Sequence, residues 1–291
     1  MIVSPSSVKV SPNPQSSTRG WQNRPVDKPD EEEALDGGVA NAGAVVRHGT
    51  HVLRPSTPHT ATIHALLGHL RDCGFDGASQ PVGIDVDGRE RLTFLRGEVP
   101  IPPYPAWART DEALASVACL IRRYHDAVRS FRPGPAAIWS DEMADPLGGS
   151  VICHNDVCFE NVVFRNGEAV GLLDFDFAAP GRQLYDLVQF ARMCVPVDDE
   201  VNASRLGWDA PDVFARLRLV ADTYGLPPDR SEFAKILAES IARGGQFVQR
   251  RVQAGDPNFI AMWNEMGGME RFDRRRRWFA DNADRFTAAL G

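Results

Sequence analysis

The spacing of apolar residues changes character about one third of the way along the chain. Between Leu35 and Leu95 they fall in short runs cut by turn formers. Ala44 to Val46 and His51-Val52-Leu53-Arg54 are separated by Gly49-Thr50, and Pro81 to Ile84 and Arg91 to Leu95 are separated by Asp85-Val86-Asp87-Gly88. Runs this short, bounded by Gly, Asp and Pro, predict strands. One segment departs from that rhythm: Thr60 to Cys73 sets Ile63, Leu66, Leu67 and Leu70 three and four residues apart, which predicts an amphipathic helix that Gly74 can end. After the proline-rich stretch Pro100 to Pro105, suited to a stiff connection, the period becomes helical over Asp111 to Phe131, Tyr185 to Met193, Val213 to Tyr224, Phe233 to Val252 and Phe272 to Leu290. The exception lies between Val151 and Phe177. There two apolar runs, Asn161 to Phe164 and Val170 to Leu173, flank Arg165-Asn166-Gly167-Glu168, an Asn-Gly hairpin signal.

These patterns predict an α+β chain of two lobes: a small β-sheet lobe with one helix over residues 35–99, and a larger, mainly helical lobe over 100–291. Residues 1–34, rich in Ser, Pro and Asn and running into Pro29-Asp30-Glu31-Glu32-Glu33, have the composition of a disordered tail. No internal repeat is present.

Composition narrows the function classes. At 291 residues, 43% hydrophobic and 24% charged, the chain has ample material for a packed core. A net charge of -7 and a pI near 5.5 argue against a nucleic-acid partner, which calls for an excess of clustered Lys and Arg. No apolar run approaches the roughly 20 residues that span a bilayer, and the opening MIVSPSSVKVSPNPQSS lacks the apolar core of a signal peptide, so no membrane partner and a cytoplasmic location are expected. Five cysteines without framework spacing read as reduced thiols.

The chemistry concentrates around the predicted hairpin. Val151-Ile152-Cys153-His154-Asn155-Asp156-Val157-Cys158-Phe159-Glu160-Asn161 carries His, Asp and Asn in the spacing H-x-D-x-x-x-x-N, the catalytic-loop pattern of kinases. Phosphoryl transfer asks little covalent chemistry of a protein. It needs a carboxylate to orient the attacking hydroxyl and oxygen ligands to hold a metal on the phosphates. Asp156 suits the first task and Asn161 the second, with His154 bracing the loop. Thirteen residues after Asn161, Leu172-Leu173-Asp174-Phe175-Asp176-Phe177 sets Asp174 at the end of an apolar strand as a second Mg²⁺ ligand, with Asp176 two residues on and on the same side. Each piece alone is ordinary. Loop, hairpin and apolar-Asp-Phe-Asp in one window are not.

This window resembles the aminoglycoside phosphotransferase and choline kinase family, which has the two-lobed protein-kinase-like fold, and the likeness extends over about Leu35 to Leu290. The resemblance implies that Asp156 is the catalytic base, that Asn161 and Asp174 bind Mg²⁺, and that Asp186-Leu187 supports the loop. It further implies ATP or GTP as co-substrate, with Gly37, Gly38 and Asn41 in a phosphate-covering turn and backbone groups at Leu95 and Gly97 meeting the base. Where kinases place a Lys on the next strand, this chain offers Arg54, a permanently charged fork that binds phosphate bidentately. The following helix holds His64 near the place of the usual Glu, so an Arg–Glu pair is not expected.

The acceptor would be a small molecule. An acidic stretch, Asp198-Asp199-Glu200 with Asp209 and Asp212, suits a cationic one or simply a solvated surface. Trp208, Phe247, Trp263 and Trp278 fit a core better than a pocket, and Arg274 to Arg277 fit a solvated, ion-paired face. Two other readings compete with the kinase: a pseudokinase that binds a ligand without turnover, and a soft-metal site at Cys153, His154 and Cys158.

Overall fold

The computed structural model describes residues 32–35 and 44–290. The small lobe is an antiparallel sheet in the order β1-β2-β3-β5-β4, built from β1 (Glu33–Ala34), β2 (Val46–His48), β3 (His51–Pro55), β4 (Pro81–Ile84) and β5 (Arg89–Thr93). Glu33 and Ala34, which composition assigns to the tail, pair instead with Arg47 and Val46 as an edge strand. Helix α1 (Thr60–Asp72) buries the predicted face, Ile63, Leu66, Leu67 and Leu70. It ends as the sequence predicts: Gly74 sits at φ +75°, a conformation cheap only without a Cβ, and the N–H of Phe75 returns to the Leu70 carbonyl at 2.9 Å.

The helical lobe begins with α2 (Asp111–Val128), capped by the Thr110 hydroxyl on the Ala113 N–H. Two small strand pairs follow. Strand β6 (Val151–Cys153) pairs with β9 (Ala179–Gly181), and enclosed between them in sequence is the hairpin β7 (Val162–Arg165) and β8 (Glu168–Leu172). Asn166 and Gly167 both take positive φ, +53° and +81°, the pattern of a type I′ turn whose twist matches the strands. The remainder is helical: α3 (Gln183–Cys194), α4 (Glu200–Arg205), α5 (Val213–Tyr224), α6 (Ser231–Gln253), α7 (Pro257–Glu265), α8 (Gly268–Asp281) and α9 (Ala283–Leu290). The single helix expected over Phe272 to Leu290 is broken at Asn282, which lets Phe286 of α9 stack on Phe279 of α8 at 4.4 Å between ring centroids. Among the described residues, no helix is long and apolar enough to cross a membrane.

One apolar core runs from α1 through α2 and the hairpin into α3, α5 and α6. The backbone ties the lobes where the cleft lies: Glu98 and Phe164 exchange both N–H···O bonds at 2.8 Å, and the Leu172 N–H donates to the Gly77 carbonyl at 2.8 Å. Gly97 makes the first contact feasible. A Cβ there would overlap Val163 and fall 2.5 Å from the Phe164 carbonyl oxygen, so no side chain fits.

Candidate active site

The loop between β6 and β7 is held by one buried carboxylate. Asp186, in the first turn of α3, accepts from the backbone N–H groups of His154 (2.8 Å) and Asn155 (2.7 Å) and from His125 Nε2 (2.9 Å). Burial would raise its pKa, but the His125 hydrogen bond and charge, with the backbone donor, outweigh that and hold it below the usual carboxylate value. His154 is also fully buried. Its Nε2 donates to the Leu173 carbonyl at 2.9 Å and its Nδ1 accepts from the Asp156 N–H; burial depresses its pKa and favours the neutral ring. Asn155 adopts φ +65°, rare outside Gly, pinned by Asp186 at its N–H and by its own Nδ2 on the Phe177 carbonyl at 2.9 Å.

With the loop so fixed, Asp156 is half-buried, and Asn161 Nδ2 donates to both its carbonyl (2.9 Å) and its carboxylate (3.0 Å). Spending the amide N–H₂ on Asp156 leaves Asn161 Oδ1 as the free, hard end of that side chain. Burial pushes the Asp156 pKa well up, the Asp174 charge adds to the rise, and the positive charge of Arg192 opposes it. A base with a raised pKa is matched to taking a proton from an alcohol near neutrality.

Asp174 and Asp176 converge, but not by strand alternation. Strand β8 ends at Leu172, Asp174 turns left-handed (φ +58°), and a 3₁₀ turn over Phe175–Phe177 brings Asp176 round. Both carboxylates then meet Arg54, at 3.0 Å (Nη1 to Asp174) and 2.7 Å (Nη2 to Asp176). Arg54 Nε donates to Glu90 Oε1 at 2.7 Å, and His64 Nε2 donates to Glu90 Oε2 at 2.8 Å. Thus an Arg–Glu pair exists where the sequence led us to expect none. The acid comes from the neighbouring strand β5, where Glu90 and Leu92 are the inward positions of an alternating strand. That alternation was the available signal, missed because the strand reads as starting at Arg91. Burial alone would lower the Arg54 pKa, but Asp176, Asp174 and Glu90 together raise it, and the guanidinium stays charged.

A cavity of about 170 Å³ lies between the lobes, with Arg54, Asn161 and Asp174 at its polar end and Val52, Leu92, Leu95, Val163 and Leu172 along its apolar wall. Gly97 lines it too, beside Leu95. Gly37, Gly38 and Asn41 lie outside the described residues. The donors Asn161 Oδ1, Asp174 and Asp176 are all oxygens and suit Mg²⁺, which needs one or two carboxylates and completes its shell with water and phosphate. Among the described residues no group of three or more His, Cys, Asp or Glu gathers as a metal cage, so Cys153, His154 and Cys158 do not assemble a soft-metal site.

Other sequence signals resolve into structure. Asp198 is buried against Arg271 (3.1 Å) and Arg275 (3.6 Å), and Asp199 and Asp212 cap α4 and α5. Within Arg274 to Arg277 the expected solvated face holds for exposed Arg276, paired with Asp273, whereas Arg274 is half-buried between Glu270, Asp199 and Asn202. Arg275 turns inward instead, because Asp198 and the Val197 carbonyl are there to receive it.

Comparison with known proteins agrees with this geometry. Residues 104–220 match the model of the phosphotransferase enzyme family, and the chain is 36% identical over 201 residues to the trifolitoxin immunity protein of Rhizobium leguminosarum bv. trifolii, covering 67% of this chain and 75% of that protein. The chain belongs to the phosphotransferase enzyme family. Its fold is that of solved relatives. The GDP complex of aminoglycoside 2'-phosphotransferase-IIIa superposes with a TM-score of 0.59 at 16% identity, covering 88% of this chain and 94% of that one. A choline/ethanolamine kinase family protein from Mesorhizobium loti gives 0.58 at 17%, covering 89% and 92%. The two-lobed kinase-like fold expected from the sequence is therefore the fold observed.

Proposed function

We propose that the protein is an Mg²⁺-dependent kinase that transfers the γ-phosphoryl group of ATP or GTP to a hydroxyl of a small molecule. The observation that carries this reading is a loop locked by Asp186 that holds Asp156 hydrogen-bonded to Asn161, with Asn161, Asp174 and Arg54 lining one cavity whose remaining walls are mostly apolar. Asp156 orients the acceptor hydroxyl and takes its proton as the oxygen attacks the γ-phosphorus; the bond to the bridging oxygen breaks, and the nucleoside diphosphate leaves. Asn161, Asp174 and Asp176 would hold the ion, which when bound supplies neutralising charge on the phosphates. Arg54, aimed by Glu90, stands where a strand Lys serves other kinases, able to turn its fork from the two aspartates to phosphate oxygens.

The names of the solved relatives suggest a cationic acceptor, and that of the immunity protein suggests a toxin. Most of the carboxylates that favoured a cationic acceptor in the sequence are engaged in caps and ion pairs, which leaves the acceptor class to other features of the cleft. A binding module without turnover is favoured by one observation, the engagement of Arg54 with both metal-facing aspartates. Nucleotide binding by calorimetry, followed by ADP or GDP release over a panel of hydroxylated small molecules, separates the two. Asp156→Ala and Asp174→Ala should each lower turnover at least about 100-fold with folding intact. Full activity in either variant refutes the assignment.

A further inference from the structure

Away from the nucleotide cavity, helices α3 and α6 pack through a polar seam. Tyr185, Gln189 and Arg192 follow one another down α3 at helical spacing, and Gln189 is the hub: its Nε2 donates to the Tyr185 hydroxyl (2.9 Å), and its Oε1 accepts from Ser240 Oγ of α6 and from Arg192 Nε (3.1 Å). Such a network fixes the Arg192 side chain at Nε and leaves its terminal fork free. Among the described residues, neither Nη1 nor Nη2 of Arg192 has a hydrogen-bond or ion-pair partner within the protein. The fork lies against Gly244 of α6, where an added Cβ would stand 2.7 Å from Nη1 and 3.2 Å from Cζ. The glycine makes room for the guanidinium.

The place of this cation is set by its neighbours. Cys194, two residues on in α3, donates from its Sγ to the carbonyl of Val157, the residue after Asp156, at 3.6 Å, and the Arg192 charge acts on Asp156. One turn along α6 from Gly244, the Phe247 ring packs edge-on at 5.5 Å against Phe177, whose carbonyl holds Asn155 of the catalytic loop. Arg192 does not line the nucleotide cavity, whose phosphate end already has Arg54. Burial, with Arg275 and Arg271 nearby, depresses its pKa to about 10, still charged at neutral pH. Half-buried and with its terminal donors unspent, the guanidinium can meet an incoming oxyanion without first breaking a bond of its own.

We propose that Arg192, cradled by Gly244, is a specificity-determining residue that pairs with an anionic group, a carboxylate or a phosphate, on the acceptor whose hydroxyl Asp156 activates. This rests on the reading of Asp156 as the base of a kinase. A planar fork matches either oxyanion bidentately, whereas a cationic acceptor would meet repulsion there.

Inorganic phosphate, the simplest tetrahedral oxyanion, probes the site without knowledge of the acceptor. It is titrated by calorimetry into protein saturated with Mg²⁺ and a non-hydrolysable ATP or GTP analogue, so that the nucleotide's own phosphate contacts are filled. Saturable one-to-one binding is expected in the wild type. It should weaken at least tenfold in Arg192→Gln and in Gly244→Ala, which keeps the charge but displaces the fork, with analogue affinity unchanged in both. No saturable phosphate binding in the wild type, or equal binding in Arg192→Gln, overturns the proposal. Failure of the kinase reading shows itself separately, as absence of analogue binding, and phosphate is then titrated into the unliganded protein with the same criteria.

Discussion

Asp186→Asn tests the loop lock at a single atom. The two carboxylate oxygens receive three donors: Oδ2 those of the His154 N–H and His125 Nε2, Oδ1 that of the Asn155 N–H. An asparagine has one acceptor oxygen and one N–H₂ group. Whichever way it turns, a backbone N–H of the loop meets another donor. Losing one charge-assisted bond costs about 1.5–3 kcal/mol and leaving its buried donor unpaired about 1–3 more, so a loss of about 2.5–6 kcal/mol is expected, a large share of the roughly 5–15 kcal/mol that holds a domain folded. Urea unfolding followed by far-UV circular dichroism measures it. The pH dependence sharpens the test. Because the folded pKa of Asp186 is depressed, its contribution is fully present above the unfolded value near 3.9 and is lost as pH falls through the folded one. The wild type should therefore lose this increment only in strong acid, and the stability gap to the Asn variant should close there. An unfolding midpoint within error of wild type at pH 7, or a gap independent of pH, would refute the argument that this carboxylate holds the loop.

Three further outcomes are expected. Asp156→Asn should melt higher than wild type at pH 7 while losing turnover, because a carboxylate whose folded pKa is raised costs stability wherever it is ionised; in differential scanning calorimetry the gain should vanish below about pH 3.9, where unfolded and folded forms are both protonated. Gly97→Ala should destabilise by roughly 1–3 kcal/mol and weaken nucleotide binding, since its Cβ must displace Val163 and part the Glu98–Phe164 bridge; an unchanged urea midpoint would contradict that close approach. Glu90→Gln should raise the nucleotide KM at least several-fold with a smaller effect on kcat, because it frees Arg54 from its aiming partner, and steady-state kinetics with an unaltered KM would remove Glu90 from the site.

The parts of the fold that local chemistry dictates were legible in the chain. Asn166-Gly167 announces its turn because few other residues tolerate two positive φ angles in succession. The apolar stripe of α1 and its Gly74 stop are equally plain, and spacing singles out His154, Asp156, Asn161 and Asp174 as candidates. What spacing does not carry is partnership across the fold. Glu90 and Arg54 are 36 residues apart and meet only through strand pairing, and Arg192 acquires its meaning from a glycine on another helix. The acidic stretch at Asp198 misled for the same reason: its partners, Arg271 and Arg275, lie more than seventy residues downstream. Asp174 and Asp176 show a subtler gap, since a strand period predicted their common direction and a left-handed residue plus a 3₁₀ turn delivered it.

The guanidinium of Arg54 acts as a clasp between the halves of the molecule, rooted in a strand of one and closed on two aspartates of the other. A divalent ion held by those aspartates would have to share them with the arginine or displace it. Ion binding at these carboxylates, if it occurs as proposed, would therefore be coupled to the grip of one lobe on the other, and the freed guanidinium would still line the cavity.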